Sequence, residues 1–152
     1  MTGSAGDRPM IQPDRDLTEA ELEEWGRGIG AEAELPTVIA LRGDLGVGKS
    51  TLARAIARGA GVEGAVPSPT FNLLFRYQVP RGAVVHLDLY RLDDPEEVWD
   101  LGWSELPADD ELVIIEWPER AEGLLPVPRW EVEIRETEAP SLRSVSVLRV
   151  TR

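Results

Sequence analysis

Gly43-Asp44-Leu45-Gly46-Val47-Gly48-Lys49-Ser50 is the stretch on which the fold turns. It fits G-x-x-x-x-G-K-[ST], the phosphate-binding P-loop pattern. The glycines let the backbone curl into a nest of N–H groups and let a phosphate approach with no Cβ in the way. A helix following such a loop points its positive end at the anion. In this pattern Lys49 reaches the β- and γ-phosphates and Ser50 sets its hydroxyl on Mg²⁺. The flanks supply the context the motif requires. Thr37-Val38-Ile39-Ala40-Leu41 is an apolar, β-branched run of the kind buried on both faces of a parallel sheet. Lys49 to Ala60 has Leu52, Ile56 and Gly59 at helical spacing, Arg54 and Arg58 outward, and Gly61 as a stop.

Of 16 basic residues in the chain, only Lys49 is lysine. A codon preference for arginine would give the same excess, but the position of the one ammonium favours a site that needs a compact point charge. The chain has 152 residues, the size of one ordinary domain. Acids outnumber bases 28 to 16, a net charge of −12, which argues against a broad basic surface for gripping nucleic acid. With no cysteine there is no disulfide framework, thiolate metal site or cysteine nucleophile. The opening MTGSAGDRPMIQPDRD has no apolar stretch, so no signal peptide is expected. No apolar run approaches the ~18 residues of a membrane span. A cytoplasmic protein without a membrane partner is the expectation.

Residues 1–15 read as a disordered tail and residues 16–152 as a single domain. Asp16 or Thr18 can cap a helix carrying Leu22, Trp25 and Ile29 on one face. Phe71 to Val79 and Ala83 to Leu92 read as a hairpin joined by Pro80-Arg81-Gly82. Asp94-Pro95-Glu96-Glu97 opens a helix bearing Val98, Leu101 and Trp103. Leu112 to Ile115 is a second buried strand, and Trp130 to Ile134 and Val145 to Val150 alternate like half-buried ones. The expected class is α/β: a mostly parallel, P-loop NTPase-like sheet flanked by helices, with antiparallel outer strands.

A P-loop needs a second anchor for Mg²⁺, usually an acid ending a neighbouring buried strand. Glu116 directly follows the Leu112–Ile115 run and is the metal candidate. Asp88, in His86-Leu87-Asp88-Leu89-Tyr90-Arg91, is the candidate for positioning the attacking water, with a salt bridge to an arginine such as Arg91 as the alternative. Alternation places His86, Asp88 and Tyr90 on one face. His86, the only histidine, reads as a packed strand residue rather than a proton shuttle. In Ser68-Pro69-Thr70-Phe71, Thr70 either offers a hydroxyl to a third phosphate or sits in a plain turn. Trp117 lies either near the nucleotide or in the core.

The set GDLGVGKST (43–51), SPTF (68–71), HLDLYRL (86–92), DPEE (94–97), LGW (101–103) and IIEWPER (114–120) resembles the TsaE (YjeE) family from about Asp16 to Val150. That family comprises small bacterial P-loop ATPases required for making threonylcarbamoyladenosine in tRNA. The resemblance implies that Gly43, Asp44, Leu45, Gly46, Val47, Gly48, Lys49, Ser50 and Thr51 bind ATP and that Ser50 and Glu116 hold Mg²⁺. It places Thr70, Asp88 and Trp117 around the γ-phosphate. It also implies TsaB and TsaD as partners, which transfer the threonylcarbamoyl group to adenosine 37; the ATPase resets them between turnovers and meets tRNA only indirectly. Ser50 stands where many members have threonine, and Leu22 where some do, so a nucleotide contact at Leu22 is open. The tail lies outside the family core.

A GTPase would carry N-K-x-D, which is impossible here because the only asparagine is Asn72 and the only lysine Lys49. A small-molecule kinase needs an arginine-bearing lid, and Leu92 to Asp110 holds one arginine-free, acid-rich helix instead. A nucleotide-dependent scaffold that does not hydrolyse is the remaining alternative.

Overall fold

The computed structural model describes residues 15–66 and 73–152. The proposed tail up to Asp14 and the Ser68–Phe71 motif, including Thr70, lie outside the described residues. Arg15, expected in the tail, instead opens a short strand, β1 (Arg15–Leu17).

Helix α1 (Glu19–Glu32) starts at Thr18, not Asp16, through a reciprocal cap. Glu21 N–H donates to the Thr18 hydroxyl (3.2 Å), and Thr18 N–H donates to Glu21 Oε1 (2.9 Å). Strand β2 (Thr37–Arg42) leads through the glycine loop into α2 (Lys49–Ala60), which ends at the left-handed Gly61. Both α2 bounds are where periodicity put them. A Cβ on Gly30 would strike the Ile56 carbonyl, and one on Gly59 the Arg27 carbonyl, so two bare glycines let α1 and α2 lie backbone against backbone.

The hairpin is β3 (Leu74–Val79) and β4 (Gly82–Asp88). Strand β4 stops four residues short of the expected Leu92. The Asp88 carboxylate accepts the Tyr90 N–H (3.0 Å), and Leu92 N–H closes a turn on the Leu89 carbonyl. Tyr90 therefore does not continue the face of His86 and Asp88. The expected helix after Asp94 is a 3-10 helix, Pro95–Leu101, with Trp103 in a separate turn beyond Gly102. Its start was legible, since Asp94 and Glu97 cap one another. Strand β5 (Glu111–Glu116), β6 (Arg129–Glu136) and β7 (Arg143–Val150) complete the set.

The strands form one seven-stranded sheet in the order β1-β7-β6-β2-β5-β4-β3. The central four, β6, β2, β5 and β4, are parallel, and β1, β7 and β3 pair antiparallel. Alternation sends Ile39, Leu41, Leu112 and Ile114 under α1 and α2, and Val38, Val113, Ile115 and Leu87 under the 3-10 turns. Both faces of the central strands are thus covered, as their uninterrupted apolar runs require. Leu41 pairs with Glu116 and Asp88 with Glu116 in register, so β2, β5 and β4 end at one edge. Ligands of open α/β sheets sit at such carboxyl ends. No helix among the described residues is long and apolar enough to cross a membrane.

Candidate nucleotide site

The loop between β2 and α2 holds Gly43 (φ +150°), Gly46 (φ +80°) and Gly48 (φ +123°), all conformations that side chains disfavour. Gly48 is the N-cap of α2 and makes no side-chain cap, so no side-chain oxygen occupies the anion position at this helix end. The Val47 side chain is buried in the core beneath α1, and its carbonyl accepts from Arg143 Nε (3.0 Å). Leu45 at the loop tip is exposed.

Lys49 is 5% exposed and makes no carboxylate ion pair among the described residues. Its Nζ donates to the Gly43 carbonyl and sits 3.4 Å from the centroid of the Trp117 ring. Burial pulls its pKa below the usual lysine range, against the opposing charges of Glu119, Glu116, Asp88 and Asp44. A buried cation on a carbonyl and a ring is one that a stronger anion would recruit.

Ser50 Oγ donates to Glu116 Oε1 (3.0 Å), which joins the first turn of α2 to the end of β5. Glu116 is 1% exposed, and its Oε2 lies 2.6 Å from His86 Nε2. Asp88 stands beside it at the end of β4. Its pKa is raised by burial and by the charge of Glu116, and the Tyr90 N–H opposes the shift. Trp117 has a left-handed backbone (φ +58°), uncommon for a bulky residue, and its ring faces Lys49 Nζ. The ring packs on Tyr90 with centroids 4.9 Å apart.

Leu45, Gly46, Gly48, Lys49, Ser50, Thr51, Asp88, Glu116 and Trp117, together with Tyr90, line one cavity of about 220 Å³. The Gly43 carbonyl holds Lys49, and the Asp44 carbonyl also accepts from its Nζ, at 3.4 Å. On the other side of the glycine loop a cavity of about 630 Å³ opens between the cap residue Thr18 with Glu19 and Glu23 of α1 and Ser141 with Arg143 at the start of β7. Leu22, buried, lines that cavity next to Gly48. The donors suit a magnesium nucleotide: hard oxygens from Ser50 and Glu116, and no group of three His, Cys, Asp or Glu among the described residues that would cage a metal alone. Mg²⁺ is ordinarily held by one or two carboxylates together with phosphate oxygens and water.

Sequence reasoning did not find the bond between His86 and Glu116, the packing of Tyr90 on Trp117, or the larger cavity. Each depends on which strands are neighbours, which no local pattern encodes. The shared face of His86 and Asp88 was the one available signal.

A family model described as "TsaE: Threonylcarbamoyl adenosine biosynthesis protein TsaE" matches residues 17–145. The chain belongs to the TsaE family. Among similar proteins named tRNA threonylcarbamoyladenosine biosynthesis protein TsaE, that of Rickettsia bellii is 39% identical over 78% of this chain and 82% of its own. Those of Haemophilus influenzae (42%, over 61% and 59%) and Synechocystis (36%, over 71% and 68%) are also TsaE proteins by name. The crystal structure of Bacillus subtilus YdiB shares the fold, with a TM-score of 0.67 over 88% of this chain and 83% of that one, at 23% identity. TsaE membership and the α/β sheet expected from the sequence are therefore both established.

Proposed function

We propose that the chain is a P-loop ATPase that serves threonylcarbamoyladenosine formation at adenosine 37 of tRNA in the cytoplasm. It does so by acting on the TsaB–TsaD transferase complex and touches tRNA only through it. The observation that carries the ATP reading is the convergence of Lys49, Ser50 and Glu116 on one cavity at the start of α2. The pathway rests on the relatives' printed names, and the partners on the family resemblance.

In this reading the backbone of residues 43–51 cradles the phosphates, and Lys49 leaves the Gly43 carbonyl and the Trp117 ring to pair with the terminal ones. Ser50 and Glu116 hold Mg²⁺, which when bound neutralises charge on the phosphates. The cavity of about 630 Å³ beside Gly46 and Gly48 is of a size to take the nucleoside. Asp88 and Thr70 are assigned to the far end of the triphosphate, Asp88 orienting the attacking water. The packed rings of Trp117 and Tyr90 flank that end.

A second reading, a scaffold that binds ATP without needing to hydrolyse it, has one observation in its favour. The Asp88 carboxylate is already engaged by the Tyr90 N–H, and burial favours its neutral form. A time course of modified tRNA with excess substrate, run with TsaB and TsaD, separates the two. Under the ATPase reading Asp88→Ala keeps ATP binding but stops after about one round. Sustained turnover at the wild-type rate would favour the scaffold.

A further inference from the structure

His86 is the only histidine of the chain and is 1% exposed on β4. It is buried on the side of the sheet that faces α2, as are Val84 on its own strand and Ile114 opposite it on β5. Its Nε2 lies 2.6 Å from Oε2 of Glu116, and its Nδ1 is buried with no hydrogen-bond partner among the described residues. We propose that His86 is the positioning residue of the cation site. Its Nε2–H clamps one oxygen of Glu116 so that the other stays turned to Ser50. The role rests on the reading of Ser50 and Glu116 as the pair that holds Mg²⁺.

A buried carboxylate has to be hydrogen-bonded, and Glu116 has two such partners, one on each oxygen. Ser50 alone would leave the carboxylate free to swing about its terminal bond. A donor on the opposite oxygen fixes its plane. An ionised carboxylate only accepts, so the proton of this bond belongs to His86 Nε2. The bare Nδ1 fits the same assignment, because a second N–H there would be a buried donor without an acceptor. With His86 on Oε2, the other oxygen stays beside Ser50, where the pair can take a cation. Histidines and carboxylates behind metal ligands act in this way, and their loss typically weakens metal binding ten- to a hundredfold.

Two measurements on the untagged full chain test the role. In ¹⁵N NMR of the empty protein the single imidazole should show a protonated Nε2 and a bare Nδ1, and Glu116→Ala should abolish that fixed state. The reverse tautomer in the wild type would overturn the proposal. ATP binding by calorimetry across a Mg²⁺ series gives the second readout. His86→Leu should raise the Mg²⁺ midpoint about ten- to a hundredfold. Affinity for ATP without metal should stay within about twofold, since no phosphate contact is assigned to His86. His86→Gln, whose amide can donate near the Nε2 position, should return the midpoint close to wild type. An unmoved midpoint, or an equal loss with and without metal, overturns the role. If His86→Leu does not fold, His86→Gln and His86→Asn decide. Gln should keep the midpoint and the shorter Asn should lose it, and equal midpoints overturn the proposal. A wild type whose ATP binding ignores Mg²⁺ would overturn the cation site itself. A Mg²⁺ response that every His86 variant leaves intact overturns only the role of His86.

Discussion

Strand β2 has a glutamate on the strand to each side of it, and the two are held in opposite ways. Glu131 of β6, opposite Ala40, takes Arg42 Nε on one oxygen (2.9 Å) and Arg129 Nε on the other (2.7 Å). Glu116 of β5, opposite Leu41, takes a serine hydroxyl and an imidazole. Burial pushes the Glu131 carboxyl up, but hydrogen bonds and charge from the two guanidiniums outweigh it and hold the pKa below the usual glutamate range. Two guanidiniums cancel a carboxylate's charge while they bind it; a hydroxyl brings no charge, and an imidazole N–H orients the oxygen it reaches. One glutamate is therefore a finished ion pair that ties β6 to β2. The other, more deeply buried, has no arginine or lysine in direct contact among the described residues. The same residue type thus serves the fold on one flank and, in the proposed function, a ligand on the other.

The largest effect expected is at the cation beside the open glutamate. Lys49→Ala should weaken ATP·Mg²⁺ binding about a hundredfold or more, because charge-assisted hydrogen bonds to phosphate are lost. Calorimetry reads this directly, and near wild-type affinity would break the P-loop reading. The contrast itself is sharpened next by one isosteric change on each flank. Glu131→Gln should cost about 2 kcal/mol, a Tm lowered by roughly 4–8 °C, since Arg42 and Arg129 then lose their counter-charge. The loss should be full at neutral pH and shrink in acid. A depressed carboxyl stabilises the fold above its unfolded pKa, and that stabilisation drains as pH falls through the folded one. Glu116→Gln should leave the empty protein about as stable as the wild type, because it strips no arginine or lysine of a direct partner among the described residues. Equal destabilisation by both variants would break the comparison.

The fold was legible where it is local. The run Thr37–Leu41, the glycine loop and the Leu52/Ile56 spacing of α2 are each determined by neighbours in the chain, and so is the reciprocal cap of Asp94 and Glu97. Strand β1 was not legible. Three residues carry no periodicity, and their partner Arg143–Val145 lies at the far end of the chain. The end of β4 was missed because an alternating pattern continues through Leu92, whereas the Asp88 carboxylate turns the backbone at Tyr90. Lys49, Ser50 and Glu116 could be named from motif and strand end. That His86 rather than Tyr90 shares the site's carboxylate follows only from the β4–β5 register, with Asp88 opposite Glu116.

The smallest expected effect concerns Asp88, the site's second acid. Its pKa is raised in the folded protein, so its ionised form costs stability above the unfolded value. Asp88→Asn, which keeps an oxygen for the Tyr90 N–H, should raise the Tm of the empty protein by about 1–3 °C at neutral pH. The gain should vanish in acid, where the wild-type carboxyl is protonated in both states. A Tm difference that does not depend on pH would contradict the buried-charge account of this corner.

The central claim of the proposed function is that Glu116, held by Ser50 and His86, is the carboxylate that holds the cation of a magnesium nucleotide. The most direct test is ATP affinity with Mg²⁺ and with EDTA, for the wild type and for Glu116→Gln. The account predicts that Mg²⁺ tightens ATP binding to the wild type by about tenfold or more and has little effect on Glu116→Gln, whose metal-free affinity is unchanged. An undiminished Mg²⁺ effect in Glu116→Gln would contradict it and move the metal ligand elsewhere, with Asp88 the next residue to test.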